Sequence, residues 1–164
     1  MKEESLHEMM NEQVKNEFYA AYFYLSMSSY FATKNQPGFA HWMRVQSHEE
    51  AEHALKFFDF LLKSGRKVTL LAIDQPPFEF ESPLEVFAQA LRNEQRVTSQ
   101  IHRLADLARW EKNEAAQELL QWFIEEQVEE EEAVTEVIEE LKRVGEDANG
   151  LLSLDKKLGM READ

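Results

Sequence analysis

Apolar positions recur along this chain at alternating spacings of three and four, the pattern of helices that bury one face. Four long segments carry it. The first covers about 5–34 and stops at Asn35-Gln36-Pro37-Gly38, a turn signal. The second covers about 39–64 and ends at Gly65, a residue suited to a helix C-terminus. The third, about 83–111, is entered through Ser82 as N-cap, Pro83 at the first helical position and Glu85 three residues after Ser82. The fourth covers about 114–144 and ends at Gly145. A short fifth piece, about 151–158, carries Leu151, Leu154 and Leu158 on one face. The predicted class is all-α, and 164 residues (1–164) suit a single domain with a full core.

The connections predict the topology. Helices one and two are joined by a few residues, as are three and four, so each pair forms an antiparallel hairpin. Between Gly65 and Ser82 lies a longer segment with a β-branched run and Pro76-Pro77. A helix of about 26 residues is roughly 39 Å long, and a linker of about 18 residues reaches up to roughly 60 Å. The linker can therefore run the length of the bundle and leave helices two and three parallel. This is a four-helix bundle with a long crossover between helices 2 and 3 and a short fifth C-terminal helix.

The inward stripes read Leu6, Met10, Gln13, Glu17, Ala20, Tyr24, Met27 and Phe31 in the first helix, and Phe39, Met43, Gln46, Glu50, His53, Phe57 and Phe60 in the second. In the third they read Leu84, Phe87, Leu91, Glu94, Thr98, Ile101 and Ala105, and in the fourth Ala116, Leu120, Phe123, Gln127, Glu130, Val134, Val137, Leu141 and Val144. Every stripe is interrupted near its centre. Helices of similar length share their midpoints, so Glu17, Glu50, His53, Glu94, Gln127 and Glu130 are expected to converge in one layer. One such residue alone would be a hydrogen-bonded exception. Four carboxylates together would repel each other and take up protons, and burying one unpaired costs several kcal/mol. No Lys or Arg interrupts the stripes. Two divalent cations would balance the four charges, and carboxylates with one imidazole suit iron or manganese.

The pattern also repeats. Glu17 to Glu50 and Glu94 to Gln127 are both 33 residues (50 − 17 and 127 − 94), and each pair is followed three residues on by a further polar group, His53 or Glu130. This approaches the di-iron arrangement of one Glu from each of two helices and Glu-x-x-His from each of the others. The second half departs from it with Gln-x-x-Glu.

Charge and composition narrow the class. A net charge of −14 repels nucleic acid and anionic membranes and attracts cations. No apolar run approaches the roughly 20 residues that span a bilayer. Met1-Lys2-Glu3-Glu4 has no apolar core and does not read as a signal peptide, so a cytoplasmic location is the expectation. The absence of Cys excludes disulfides, thiol catalysis and a thiolate iron centre.

At these residues the chain resembles the non-haem bacterial and archaeal ferritins, over nearly its whole length. The resemblance rests on Asn16-Glu17-Phe18-Tyr19 with Tyr24-Leu25-Ser26-Met27, on Gly38-Phe39-Ala40-His41-Trp42-Met43-Arg44, and on Glu49-Glu50 with His53. It continues through Glu94 and through Leu120-Gln121-Trp122-Phe123 into Glu126-Gln127-Val128-Glu129-Glu130-Glu131. Bacterioferritins would have Glu at 127, His at 130 and a haem-ligating Met where Glu52 stands, so no haem is expected. The Cys-rich iron domain usual in rubrerythrins is also missing. The resemblance implies that Glu17 and His53 bind one iron, Glu94 and Glu130 a second, and Glu50 bridges them. Gln127 would orient a ligand or oxygen beside the second iron. Glu49, Glu126 and Glu129 would form a third iron site with Glu130. Tyr24, two turns after Glu17 on the same face, would be a redox-active phenol or a support for a ligand. Fe(II) would be oxidised by O2 or H2O2, and ferric mineral would collect inside a cage of 24 subunits.

The remaining candidates read as structural. Trp122 is expected to pack in the core. Glu125, Glu131 and Glu132 read as a solvated face, and His7, His41, His48 and His102 as surface imidazoles. Two other readings stay open from sequence: a peroxide-reducing di-iron protein without mineral storage, and a metal-poor bundle whose polar layer only sets helix register.

Overall fold

The computed structural model describes residues 5–163. Met1-Lys2-Glu3-Glu4 lies outside them. Among the described residues there are five helices and no strands: α1 (Leu6–Thr33), α2 (Pro37–Lys63), α3 (Pro83–Trp110), α4 (Glu114–Val144) and α5 (Ala148–Leu158). None of the described helices is long and apolar enough to cross a membrane.

Local chemistry sets most of the helix starts. Ser5 accepts from the Glu8 backbone N–H at 3.1 Å and Glu8 reaches back to the Ser5 N–H at 3.4 Å, a reciprocal cap. Asn113 caps α4 through the Ala116 N–H at 3.0 Å. Ser82 caps α3 as expected, but Glu85 turns back to the Glu81 N–H at 2.6 Å rather than to Ser82. At α2 the N-cap Gln36 makes no capping bond. The missing acceptor comes from α5 instead, where the buried Asp155 carboxylate takes the Phe39 N–H at 2.9 Å. Gly38 permits this approach, since a Cβ there would sit 1.5 Å from the Asp155 carbonyl oxygen.

Contacts at the helix ends give the directions. Phe87 packs against Phe39 and Trp42, with ring centroids 6.0 and 5.2 Å away, so α2 and α3 start at the same end. Gln13 donates to Gln100 at 3.1 Å, so α1 and α3 run oppositely. The crossover 64–82 is held along α1, first by paired bonds between Asn11 and Thr69, both 2.9 Å, and then by Ser26 on the Pro77 carbonyl at 2.7 Å. The parallel placement of α2 and α3 and the spanning linker are as the sequence predicts.

The core is divided in two. One apolar cluster gathers Tyr24, Phe31, Phe39, Phe87, Val134 and Leu141, with Leu154 and Leu158 of α5 closing its end. The other gathers Leu6, Met10, Phe57, Leu61, Ile101, Leu120 and Phe123. Each fully buried aromatic contributes about 1.5–3 kcal/mol, so the two clusters hold the bundle while the layer between them is free to be polar. The expected stripes of α1 and α4 hold except at Val144, which is half-buried. In α2, Leu61 is buried in place of Phe60, which is half-buried. In α3 the stripe is rotated: Val86, Ala90, Val97 and Leu104 face inward, Leu84 is exposed, and Leu91 and Thr98 are half-buried. Spacings of three and four tolerate two neighbouring stripes, and packing chose between them.

Candidate metal centre

All six residues expected to converge are buried: Glu17, Glu50, His53, Glu94, Gln127 and Glu130. Their helices bring them into one layer between the two apolar clusters. Among the described residues, Glu17, Glu50 and His53 each place a donor atom within 4.8 Å of the others, as do Glu50, Glu94 and Glu130. Glu50 belongs to both sets. A third set joins His53, Glu126 and Glu130.

The hydrogen bonds show what each group does in the layer. Tyr24 Oη donates to Glu94 Oε1 at 2.7 Å. Gln127 Nε2 lies 3.2 Å from Glu94 Oε2, 3.2 Å from the Glu94 carbonyl and 3.1 Å from Thr98 Oγ1. Gln13 Nε2 donates to Glu17 Oε1 at 3.3 Å and Gln46 Nε2 to Glu50 Oε1 at 3.1 Å. Gln46 Nε2 also makes a close contact with Glu130 Oε2. His53 Nδ1 is 3.2 Å from Glu50 Oε2, and its Nε2 is 3.7 Å from Glu126 Oε1. Two buried oxygens, Glu17 Oε2 and Gln127 Oε1, have no hydrogen-bond partner. Such orphans are rare in folded proteins and call for an explanation. A cation coordinated by carboxylate and amide oxygens supplies one.

Electrostatics point the same way. Burial pushes the Glu17 carboxyl from 4.5 to about 8, partly offset by the adjoining Glu50 and Gln13 side chains and reinforced by the charges of Glu94 and Glu130. Glu50, Glu94 and Glu130 are raised well above the usual carboxylate range, first by burial and then by the neighbouring carboxylates. Burial, followed by the charge of Glu94, also holds the Tyr24 phenol well above its ordinary value. Among the described residues no Lys or Arg pairs with any of these four carboxylates. Without cations, the layer is stable only by retaining protons.

The surrounding acids are less uniform. Glu126 is half-buried and reaches His53, whereas Glu129 is exposed. Glu49 lies 3.2 Å from Arg161. The expectation that Trp122 packs in the core is corrected: it is 37% exposed and lies edge-on to His53, 5.7 Å between centroids, with Lys56 Nζ 4.1 Å over its ring. It covers the imidazole from outside because α4 turns that side chain to the bundle surface. Glu131 is half-buried rather than solvated, and its Oε2 accepts from Thr98 at 2.6 Å. His41 sits on the surface, with Nε2 2.7 Å from the Arg161 carbonyl.

Three contributors to the layer were not among the residues expected to converge, although Gln13 and Gln46 stand in the inward stripes. Gln13 and Gln46 stand four residues before Glu17 and Glu50, a shared Gln-x-x-x-Glu pattern that could have identified them. Arg161, which donates to Gln46 Oε1 at 2.8 Å, leaves no such signal.

Comparison with known proteins places this geometry. Residues 7–144 match the family model described as Ferritin-like domain. A bacterial non-heme ferritin of Bacteroides fragilis is 39% identical over 158 residues, covering 96% of this chain and 98% of the relative. One from Staphylococcus aureus is 35% identical over 164 residues, covering 100% and 99%. Among solved structures, the open pore ferritin of the hyperthermophilic archaeon Archaeoglobus fulgidus matches with a TM-score of 0.95 at 44% identity, covering 99% of this chain and 100% of that one. A closed form of the same ferritin, engineered by site-directed mutagenesis, matches with a TM-score of 0.96 at 44% identity, covering 100% of each chain. The chain belongs to the ferritin family, as a non-haem ferritin of the bacterial and archaeal kind.

Proposed function

We propose that this protein stores iron: it oxidises Fe(II) in the central layer and holds the ferric product inside a shell of 24 copies. The observation that carries this reading is four buried carboxylates and one imidazole in a layer without a compensating Lys or Arg. Two ferrous ions are the substrate that balances them. Glu17 and His53 bind one, Glu94 and Glu130 bind the other, and Glu50, which belongs to both donor sets, bridges them. Entering ions displace the protons that burial holds on the carboxyls. Each ion gives up one electron. Dioxygen takes both with two protons and leaves as hydrogen peroxide, or peroxide takes both with two protons and leaves as two waters.

The other residues support this chemistry. Tyr24 and Gln127 hold Glu94 from two sides, and the free amide oxygen of Gln127 faces the second ion or its oxidant. Glu126, within reach of His53 and Glu130, starts a third iron site that Glu49 and Glu129 complete. Assembly is supported by an apolar patch on the outer face of α1 and the crossover. Tyr22, Leu25 and Phe78 line one shallow pocket there and are 53%, 45% and 60% exposed. Exposed apolar surface of this kind fits a second copy of the chain. The protein acts as a soluble cytoplasmic ferroxidase within one ferritin-like domain.

The test is aerobic addition of Fe(II) to the purified metal-free protein. The expected result is rapid oxidation and a soluble iron core. Glu50→Ala combined with His53→Ala should lower the oxidation rate by more than about a hundredfold, beyond the range for residues that only support ligands. Full activity in that variant would sink the reading. The mass of the native particle separates it from a peroxide-reducing di-iron protein whose small oligomer encloses no cavity.

A further inference from the structure

We propose that Arg161 is a positioning residue for the carboxylate layer, its guanidinium holding the Gln46 amide with the NH2 end turned on Glu50 and Glu130. The proposal rests on the reading of the layer as an iron site.

Arg161 lies beyond α5, yet it is held along successive turns of α2. Its guanidinium lies 4.4 Å from the Trp42 ring centroid and donates to the Trp42 carbonyl at 3.2 Å. It donates to Gln46 Oε1 at 2.8 Å and to Glu49 Oε2 at 3.2 Å. Its own carbonyl meets His41 Nε2 at 2.7 Å. The side chain is 19% exposed. Docking of α5 fixes this path. Asp155 caps α2, and a Cβ on Gly159 would stand 3.2 Å from the Gly38 Cα, so two glycines let the backbones meet.

The consequence lies in the Gln46 amide. An amide has a donor end and an acceptor end, and nothing in its shape selects between them. A guanidinium only donates, so it claims the oxygen. The two amide hydrogens then face Glu50 Oε1, at 3.1 Å, and Glu130. The reversed amide would oppose N–H to N–H at Arg161 and oxygen to oxygen at two carboxylates. Arg161 therefore fixes which carboxylate oxygens are engaged by Gln46 and which remain for cations. Glu50 is shared by both donor sets, so this one amide bears on both ions.

The experiment is an anaerobic titration of the native, assembled, metal-free protein with Co(II), followed by visible absorption. Arg161→Ala is expected to weaken Co(II) binding about tenfold, the lower end for residues that orient metal ligands, and to shift the Co(II) band. The melting temperature of the metal-free variant should fall by about 4 °C at most. In a Gln46→Leu background, adding Arg161→Ala should change Co(II) affinity at the paired site by less than about twofold, since the intermediary is gone and the contact with Glu49 bears only on the proposed third site. His41→Ala, which loosens the tail but spares the guanidinium, should bind Co(II) as the natural chain does. Unchanged affinity and spectrum in Arg161→Ala would overturn the proposal. So would the same tenfold loss without Gln46, or an equal loss in His41→Ala. If the natural chain takes up no Co(II) in the layer, the iron reading itself fails and the proposal falls with it.

Discussion

The α1–α2 hairpin and the α3–α4 hairpin bring the same repeat into the layer but complete it differently. In the first, Glu17 has one oxygen held by Gln13 and the other without a partner, and His53 stands against Glu50. In the second, Glu94 is held on both oxygens, by Tyr24 and by Gln127, and Gln127 itself is braced by Thr98. The carboxylate of Glu17 keeps one oxygen open, whereas both oxygens of Glu94 are engaged and the open atom of the second half is the Gln127 amide oxygen. On the proposed reading, the open Glu17 oxygen favours entry of a first ion, while the braced Glu94 defines where a second sits. An internal repeat thus yields two unlike sites because the residues beside the ligands differ.

Removing the imidazole of the first half should have the largest effect. On the proposed reading, His53→Ala loses one of the two ions, with affinity down by more than about a hundredfold, whereas Gln127→Ala weakens the second by about tenfold. Anaerobic Co(II) titrations of both variants check this, and equal losses would erase the distinction between the halves. The group common to both halves comes next. Glu50→Leu should abolish paired binding and, by removing one of four carboxyls that hold each other's pKa up, raise the melting temperature of the metal-free protein. A lower melting temperature would contradict the view that the empty layer is held at a cost.

The pH dependence of the metal-free protein tests the same view more gently. The folded-state pKa of Glu17 is raised from 4.5 to about 8. Between these values the folded protein keeps a proton that the unfolded chain has released. The associated stability is therefore fully present below about 4.5 and is lost as pH rises through about 8. Melting temperatures should fall across that window without metal, and the fall should vanish when divalent ions replace the protons. A flat profile without metal would show that the layer is already neutralised. The smallest effect is expected from Tyr24→Phe. The variant loses one hydrogen bond to Glu94, worth about 1 kcal/mol. A larger loss of stability would mean that Tyr24 braces the second half more strongly than its single bond implies.

Much of this was legible in the sequence. Glu17, Glu50, His53, Glu94, Gln127 and Glu130 could be placed in one layer because each interrupts an apolar stripe near a helix midpoint. The crossover could be read from its length. The rotation of the α3 stripe could not, because Leu84 and Leu91 are as apolar as Val86 and Ala90, and only packing against α1 and α4 decides which pair is covered. The exposure of Trp122 and the bond from Thr98 to Glu131 were lost for the same reason.

What the sequence determined by itself follows from the helical repeat: helix extents, the buried faces of α1 and most of α2 and α4, the polar layer and the charge that calls for cations. These depend on spacings of three and four residues, which a chain carries locally. The tertiary structure alone decided the capping of α2 by Asp155, the bracing of Glu94 by Tyr24 and Gln127, and the reach of Arg161 to Gln46. Those bonds join residues far apart in sequence, and hydrogen-bond geometry is settled only when the helices pack. The two unlike halves of the layer are therefore written in the repeat, but their difference in openness is a property of the fold.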